Sequence, residues 1–147
     1  MIQFQFGEQE IEILIKLGLA VLFGLIIGLE RRAQNYGLGS RTAMLVCAGA
    51  CLFTIGSLNV LGVDSDGGNI GRIAQGLATG VGFIGAAIIW RQQNNPMMLH
   101  GLTSAVTVWV LTAIGFALGV GQYFAAALVT VLVLVILLIR HFKSIIG

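Results

Sequence analysis

Apolar residues gather in five long runs, over residues 13–29, 43–61, 73–90, 102–118 and 123–139, separated by short polar breaks. Each run approaches or reaches the roughly 17–25 residues that carry a helix across a bilayer. Within lipid a single segment satisfies its own backbone N–H and C=O groups only as a helix. The pattern therefore predicts an all-α integral membrane protein, a bundle of five transmembrane helices, forming one domain over residues 1–147.

The five runs differ in their small residues. The second carries Ala43, Cys47, Ala50, Thr54 and Ser57 at spacings of three and four, which places them on one helix face. In the third, Gln75, Thr79, Gly82 and Ala86 keep the same rhythm, with Gly76 and Gly80 beside them. The fourth shows Gly101, Ala105, Val108, Thr112, Gly115 and Gly119, and the first ends in G-L-I-I-G from Gly24 to Gly28. Stripes of this kind let helix backbones approach closely, and close dispersion contact is the main adhesive between helices in lipid. These glycines are expected to be packing positions. The fifth run, V-T-V-L-V-L-V-I-L-L-I, has no such stripe and is expected at the periphery. Cys47 and Cys51 stand one helical turn apart without a third thiol and are read as packing residues.

Composition removes the water-soluble alternative. Hydrophobic residues make up 57% of the chain and charged residues 10%, with 21 glycines besides. A soluble domain is about 25% charged. A net charge of +2 gives no reason to expect nucleic acid. The start, M-I-Q-F-Q-F-G-E-Q-E, has no basic stretch ahead of the first run and does not resemble a cleaved leader. Basic residues fall mainly in alternate breaks: Arg31, Arg32 and Arg41 after the first run, Arg91 after the third, Arg140 and Lys143 after the fifth. Glu8, Glu10, Glu12, Asp64 and Asp66 fall on the other side. With positive charge held inside, the N-terminus is expected outside and the C-terminus inside.

Candidate chemistry gathers at the two ends of the runs. Glu30, Arg31, Arg32 and Arg41, with Arg91 and His100 from the next break on that side, form a charged group. It reads either as a topology anchor with one paired acid or as a docking or ion-gating network. His100 is either an interfacial side chain or a pH sensor. At the opposite end Asp64, Asp66 and Asn69 precede Arg72; such oxygen ligands are candidates for a hard divalent cation such as magnesium, or are simply solvated. Lys16 lies four residues after Glu12 and is placed to pair with it. No carboxylate falls in the middle third of a run, which weighs against a buried proton relay. G-V-G-F-I-G from Gly80 to Gly85 superficially fits a dinucleotide fingerprint but has no strand before it. Nothing points to an enzyme, and no cofactor is expected.

Several strings together resemble a known family. They are G-L-I-I-G-L-E-R-R at 24–32, G-S-R-T at 39–42, N-I-G-R-I-A-Q-G-L-A-T-G-V-G-F-I-G-A-A-I-I at 69–89 and H-G-L-T-S-A-V-T-V-W at 100–109. Their order and spacing resemble the MgtC/SapB family of bacterial inner-membrane proteins over residues 17–123. The resemblance implies a multi-pass protein of the inner membrane, linked to magnesium limitation and, in pathogens, to growth inside host cells. It implies a regulator that binds other membrane proteins, the rotary ATP synthase among them; a homo-oligomer is also expected. The alternative is a magnesium or other ion transporter or channel subunit. Glu30, Arg31, Arg41, Arg72, Gln75, Thr103 and Trp109 fall on charged, polar and aromatic positions of the family motifs, with Thr79 beside them; Gly80, Gly82 and Gly85 fall on glycine positions. Asn69 stands where the family often has an aspartate, and with so little sequence after Lys143 the soluble C-terminal domain of better-known members is not expected here.

Overall fold

The computed structural model describes residues 7–33, 38–61, 67–92 and 95–146. Five helices account for nearly all of them: α1 Glu8–Ala33, α2 Ser40–Leu61, α3 Gly68–Ile88, α4 Leu102–Val120 and α5 Tyr123–Ile146. The helices overrun the apolar segments because their polar ends suit helix termini. Glu8 and Glu10 stand in the first turn of α1 and Arg31 and Arg32 in its last, each favoured by the end of the macrodipole it occupies. Asp64 and Asp66 lie outside the described residues.

One element departs from the expected all-helical pattern. Between α3 and α4 the chain forms an antiparallel hairpin, β1 Trp90–Gln92 and β2 Asn95–His100, pairing Trp90 with His100 and Arg91 with Leu99. The sequence there has no strand-like alternation, so only the pairing itself identifies it. The pairing gives the backbone internal partners where α3 ends.

Helix α4 is the centre of the molecule and packs on α1, α2, α3 and α5. Its small residues make this possible. A Cβ built on Gly115 would lie 2.2 Å from the Cys47 carbonyl oxygen, and one on Gly119 would lie 2.5 Å from Thr54 Cβ. The α1–α2 contact works the same way: a Cβ on Gly24 would reach 2.8 Å from the Ala43 oxygen, and one on Gly28 2.7 Å from Ser40 Cα. Around these approaches Ala20, Ile27, Cys47, Cys51, Val108, Leu111, Ile114 and Leu118 form the core. Hydroxyls on the packed faces bond to their own helices. Thr54 donates to the Ala50 carbonyl at 2.8 Å, Thr112 to Val108 at 3.1 Å and Thr130 to Ala126 at 2.8 Å. These threonines of the packed faces thus satisfy their hydroxyls within their own helices.

The third helix corrects the sequence reading. α3 packs on α4 through Val81 and Gly85, the latter in ordinary contact with Ala105 at 3.7 Å. It meets α2 only slightly. Gly76, Gly80 and Gly82, expected to be packing positions, face open space; a Cβ on any of them would meet nothing within 4 Å. Only one face of α3 is pressed against the bundle, and these three glycines stand off it.

Two glycines serve the backbone instead. Gly101 has φ +82° and links β2 to α4 rather than lying within the helix, and its would-be Cβ falls 2.2 Å from the Ile88 oxygen. Gly121 has φ +93° and closes α4, with its own N–H bonded to Leu118 O and that of Gln122 to Ala117 O. This Schellman closure turns the chain directly into α5. α5 lies at the edge, packing on α4 and α1. Its buried residues include Ala126, Thr130 and Leu137, while Phe124 is 80% exposed.

Helices α1, α2 and α4 are long and apolar enough to cross a membrane. Leu45 at 73% exposed, Phe53 at 70% and Phe83 at 82% belong to an outer surface that water would not tolerate in bulk and lipid would.

Candidate functional site

The antiparallel run of helices divides the polar residues between two ends. The last turn of α1, the first turn of α2, the hairpin and the start of α4 share one end. Arg31 fixes this arrangement: its Nη2 donates to Ser104 Oγ at 2.7 Å, across 73 positions of sequence. At the other end Lys16 Nζ donates to the Gly119 carbonyl at 3.2 Å and pairs with Glu12 at 2.8 Å. A cation beside the last carbonyls of α4 is favoured by the macrodipole. Lys16 therefore joins α1 to α4 as well as to its neighbour in α1.

Arg31 is the unusual residue. It is 2% exposed, although a guanidinium is among the most costly groups to remove from water. Gly28 lets Ser40 come against α1 one turn earlier. Ser40 and Ser104, both buried, line this end of the bundle. Glu30 sits half-buried in the adjoining position, and Glu30 Oε2 and Arg31 Nε are shielded from solvent. A guanidinium held out of water beside a half-buried acid at a helix end is an arrangement that packing alone does not require. Nearby, the Trp90 and His100 rings stack with centroids 4.7 Å apart, joining the two strands beside the start of α4.

The other expected positions distribute as follows. Arg41 lies at the same end as Arg31, in the first turn of α2, but its side chain is exposed. Thr103 is exposed, and its carbonyl accepts from Thr107 at 2.7 Å. Trp109 is 53% exposed on the outer side of α4. Asn69, in the first turn of α3, is half-buried; Arg72, Gln75 and Thr79 follow at helical spacing on an exposed face. Glu30 and Arg72 are thus at opposite ends and do not meet. Among the described residues, no three of His, Cys, Asp or Glu stand together to hold a metal ion. Ser104 was not singled out from the sequence, yet it lies one turn before Val108 on the packed face of α4, and that periodicity could have revealed it.

SapB of Bacillus subtilis (strain 168) is 36% identical over 121 residues, covering 76% of this chain and 49% of its own. YhiD of Escherichia coli (strain K12), named for a proposed magnesium transport, is 40% identical over 135 residues, covering 88% of this chain and 61% of its own. MgtC of Salmonella typhimurium (strain LT2) is 36% identical over 121 residues, covering 82% of this chain and 49% of its own. The chain therefore spans about half to three-fifths of the length of these relatives. No solved structure matches. The MgtC family model matches residues 17–144, which hold the charged end, the α1–α2–α4 core and the hairpin. This chain is a membrane protein of the MgtC family.

Proposed function

We propose that the chain is a regulatory protein of the bacterial inner membrane, serving adaptation to magnesium limitation by binding other membrane proteins. The observation that carries this reading is Arg31, held almost wholly out of water beside Glu30 at one end of a close-packed bundle. Thr54 and Thr112 bond within their own helices and interlocked glycines bring α1, α2 and α4 into close contact, which favours contact over conduction. In this reading all five helices cross the bilayer, with the N-terminus outside and the Arg31 end inside. The rotary ATP synthase is a candidate partner, and the protein works as a homo-oligomer. A cytoplasm-dependent reporter fused after Gly147 should be active and one in the Asp64–Asn69 loop silent. The reverse pattern would overturn the orientation.

The second reading, a magnesium transporter, is favoured by the name of one relative, YhiD. Reconstituted protein that carries magnesium into liposomes above the background of empty vesicles would decide for it. For the regulatory reading, the direct test is growth in low magnesium of a strain deleted for its own family member. Glu30→Gln and Arg72→Gln, each accumulating normally in the membrane, are expected to fail to restore growth that the unaltered chain restores. Full growth with both would show that neither charge carries function.

A further inference from the structure

The open side of α3 leaves a groove between α2 and α3, floored by α4, with a volume of about 710 Å³. Leu45, Phe53, Ile73, Leu77 and Ile84 supply its walls, and Gly76 and Gly80 keep it open on the α3 side. Thr112 on the floor already donates to the Val108 carbonyl, so the floor asks nothing polar of an occupant. Lining positions from Thr42 to Ser57 span about 22 Å of helix rise. The groove is lined almost wholly by apolar side chains and lies open along its length, which suits extended hydrocarbon.

One end of the groove is basic: Thr42 lines the mouth, and Arg41 and Arg32 are exposed there. Arg41 shares the helix ridge of Leu45, Gly49 and Phe53, four residues apart, which form the α2 wall. It also stands in the first turn of α2, where the macrodipole favours an anion.

We infer that this groove holds a phospholipid, its acyl chains lying between α2 and α3 and its phosphate against Arg41 and the Thr42 hydroxyl. The inference rests on the membrane reading, not on the regulatory one. Membrane fractionation is therefore scored first and separately. The protein is then purified in mild detergent containing equal phosphatidylglycerol and dioleoylglycerol, and intact complexes are weighed by native mass spectrometry. The unaltered chain should retain phosphatidylglycerol in preference to dioleoylglycerol. The double variant Gly76→Leu/Gly80→Leu fills the groove where added side chains meet nothing within 4 Å, so its melting temperature should hold while lipid retention falls about tenfold. Arg41→Gln should retain lipid but lose at least threefold of the preference for the phosphate-bearing species. Equal retention by the filled variant, an unchanged preference in Arg41→Gln, or a polypeptide in place of the lipid would each overturn the inference.

Discussion

Gly115→Leu is expected to abolish accumulation of the folded protein, whereas Gly80→Leu should leave it near normal. The glycine in α4 has no room to lose. Its Cβ would stand 2.2 Å from the Cys47 carbonyl oxygen and 2.9 Å from Ala50 Cβ, and the first of these is backbone that cannot swing aside. Overpacking an ordinary core typically costs about 1–3 kcal/mol. Here the α2–α4 contact must separate, and α4 carries every other helix, so the cost should exceed that range. Gly80 lies on the open side of α3, where a side chain meets nothing within 4 Å. Yield and melting temperature in detergent distinguish the two. If both variants behave alike, α4 is not the centre of the bundle.

The contrast between these glycines shows how far the sequence could be read. The α1–α2 and α2–α4 contacts were legible because Gly24, Gly28, Gly115 and Gly119 recur at helical spacing beside small residues on the partner helix. The same rhythm in α3 misled. A small-residue stripe says that a backbone can be approached, but not whether this chain supplies what approaches it. The hairpin had no pattern to reveal it, since Trp90, Arg91 and Gln92 pair with His100, Leu99 and Asn95 without any alternation of apolar and polar residues. The charged end was legible as a cluster of residue types. Which member is buried was not: Arg31 and Arg32 are neighbours in sequence, and only the turn of α1 against Ser104 separates an enclosed guanidinium from an exposed one.

That enclosed guanidinium gives the second large effect. Arg31→Met is expected to leave stability nearly unchanged, or to raise it slightly, while removing the ability to support growth in low magnesium. Replacing a buried charge with an apolar side chain of similar length is often neutral or stabilising, because the desolvation cost disappears. The loss is the bond to Ser104, and hydrogen bonds to charged groups contribute about 1.5–3 kcal/mol. The two effects oppose each other. A structural role for Arg31 predicts lost folding, and a functional role predicts folded, inserted and inactive protein. Melting temperature and growth measured on the same variant separate them. Ser104→Ala is the companion: it removes one hydrogen bond from the guanidinium without removing the charge, so it should destabilise by about 1.5–3 kcal/mol.

Contact with another membrane protein at the Arg31 end is tested most directly by photocrosslinking from position 41. Arg41 is exposed at that end, so a photoreactive residue placed there samples the surroundings without disturbing the buried core. In intact, magnesium-starved cells the otherwise unaltered chain should crosslink to a distinct membrane protein, identifiable by mass spectrometry, and Glu30→Gln in the same background should lose that product. A crosslink unaffected by Glu30→Gln, or products confined to lipid and to other copies of the chain, would contradict a partner held by this end of the bundle.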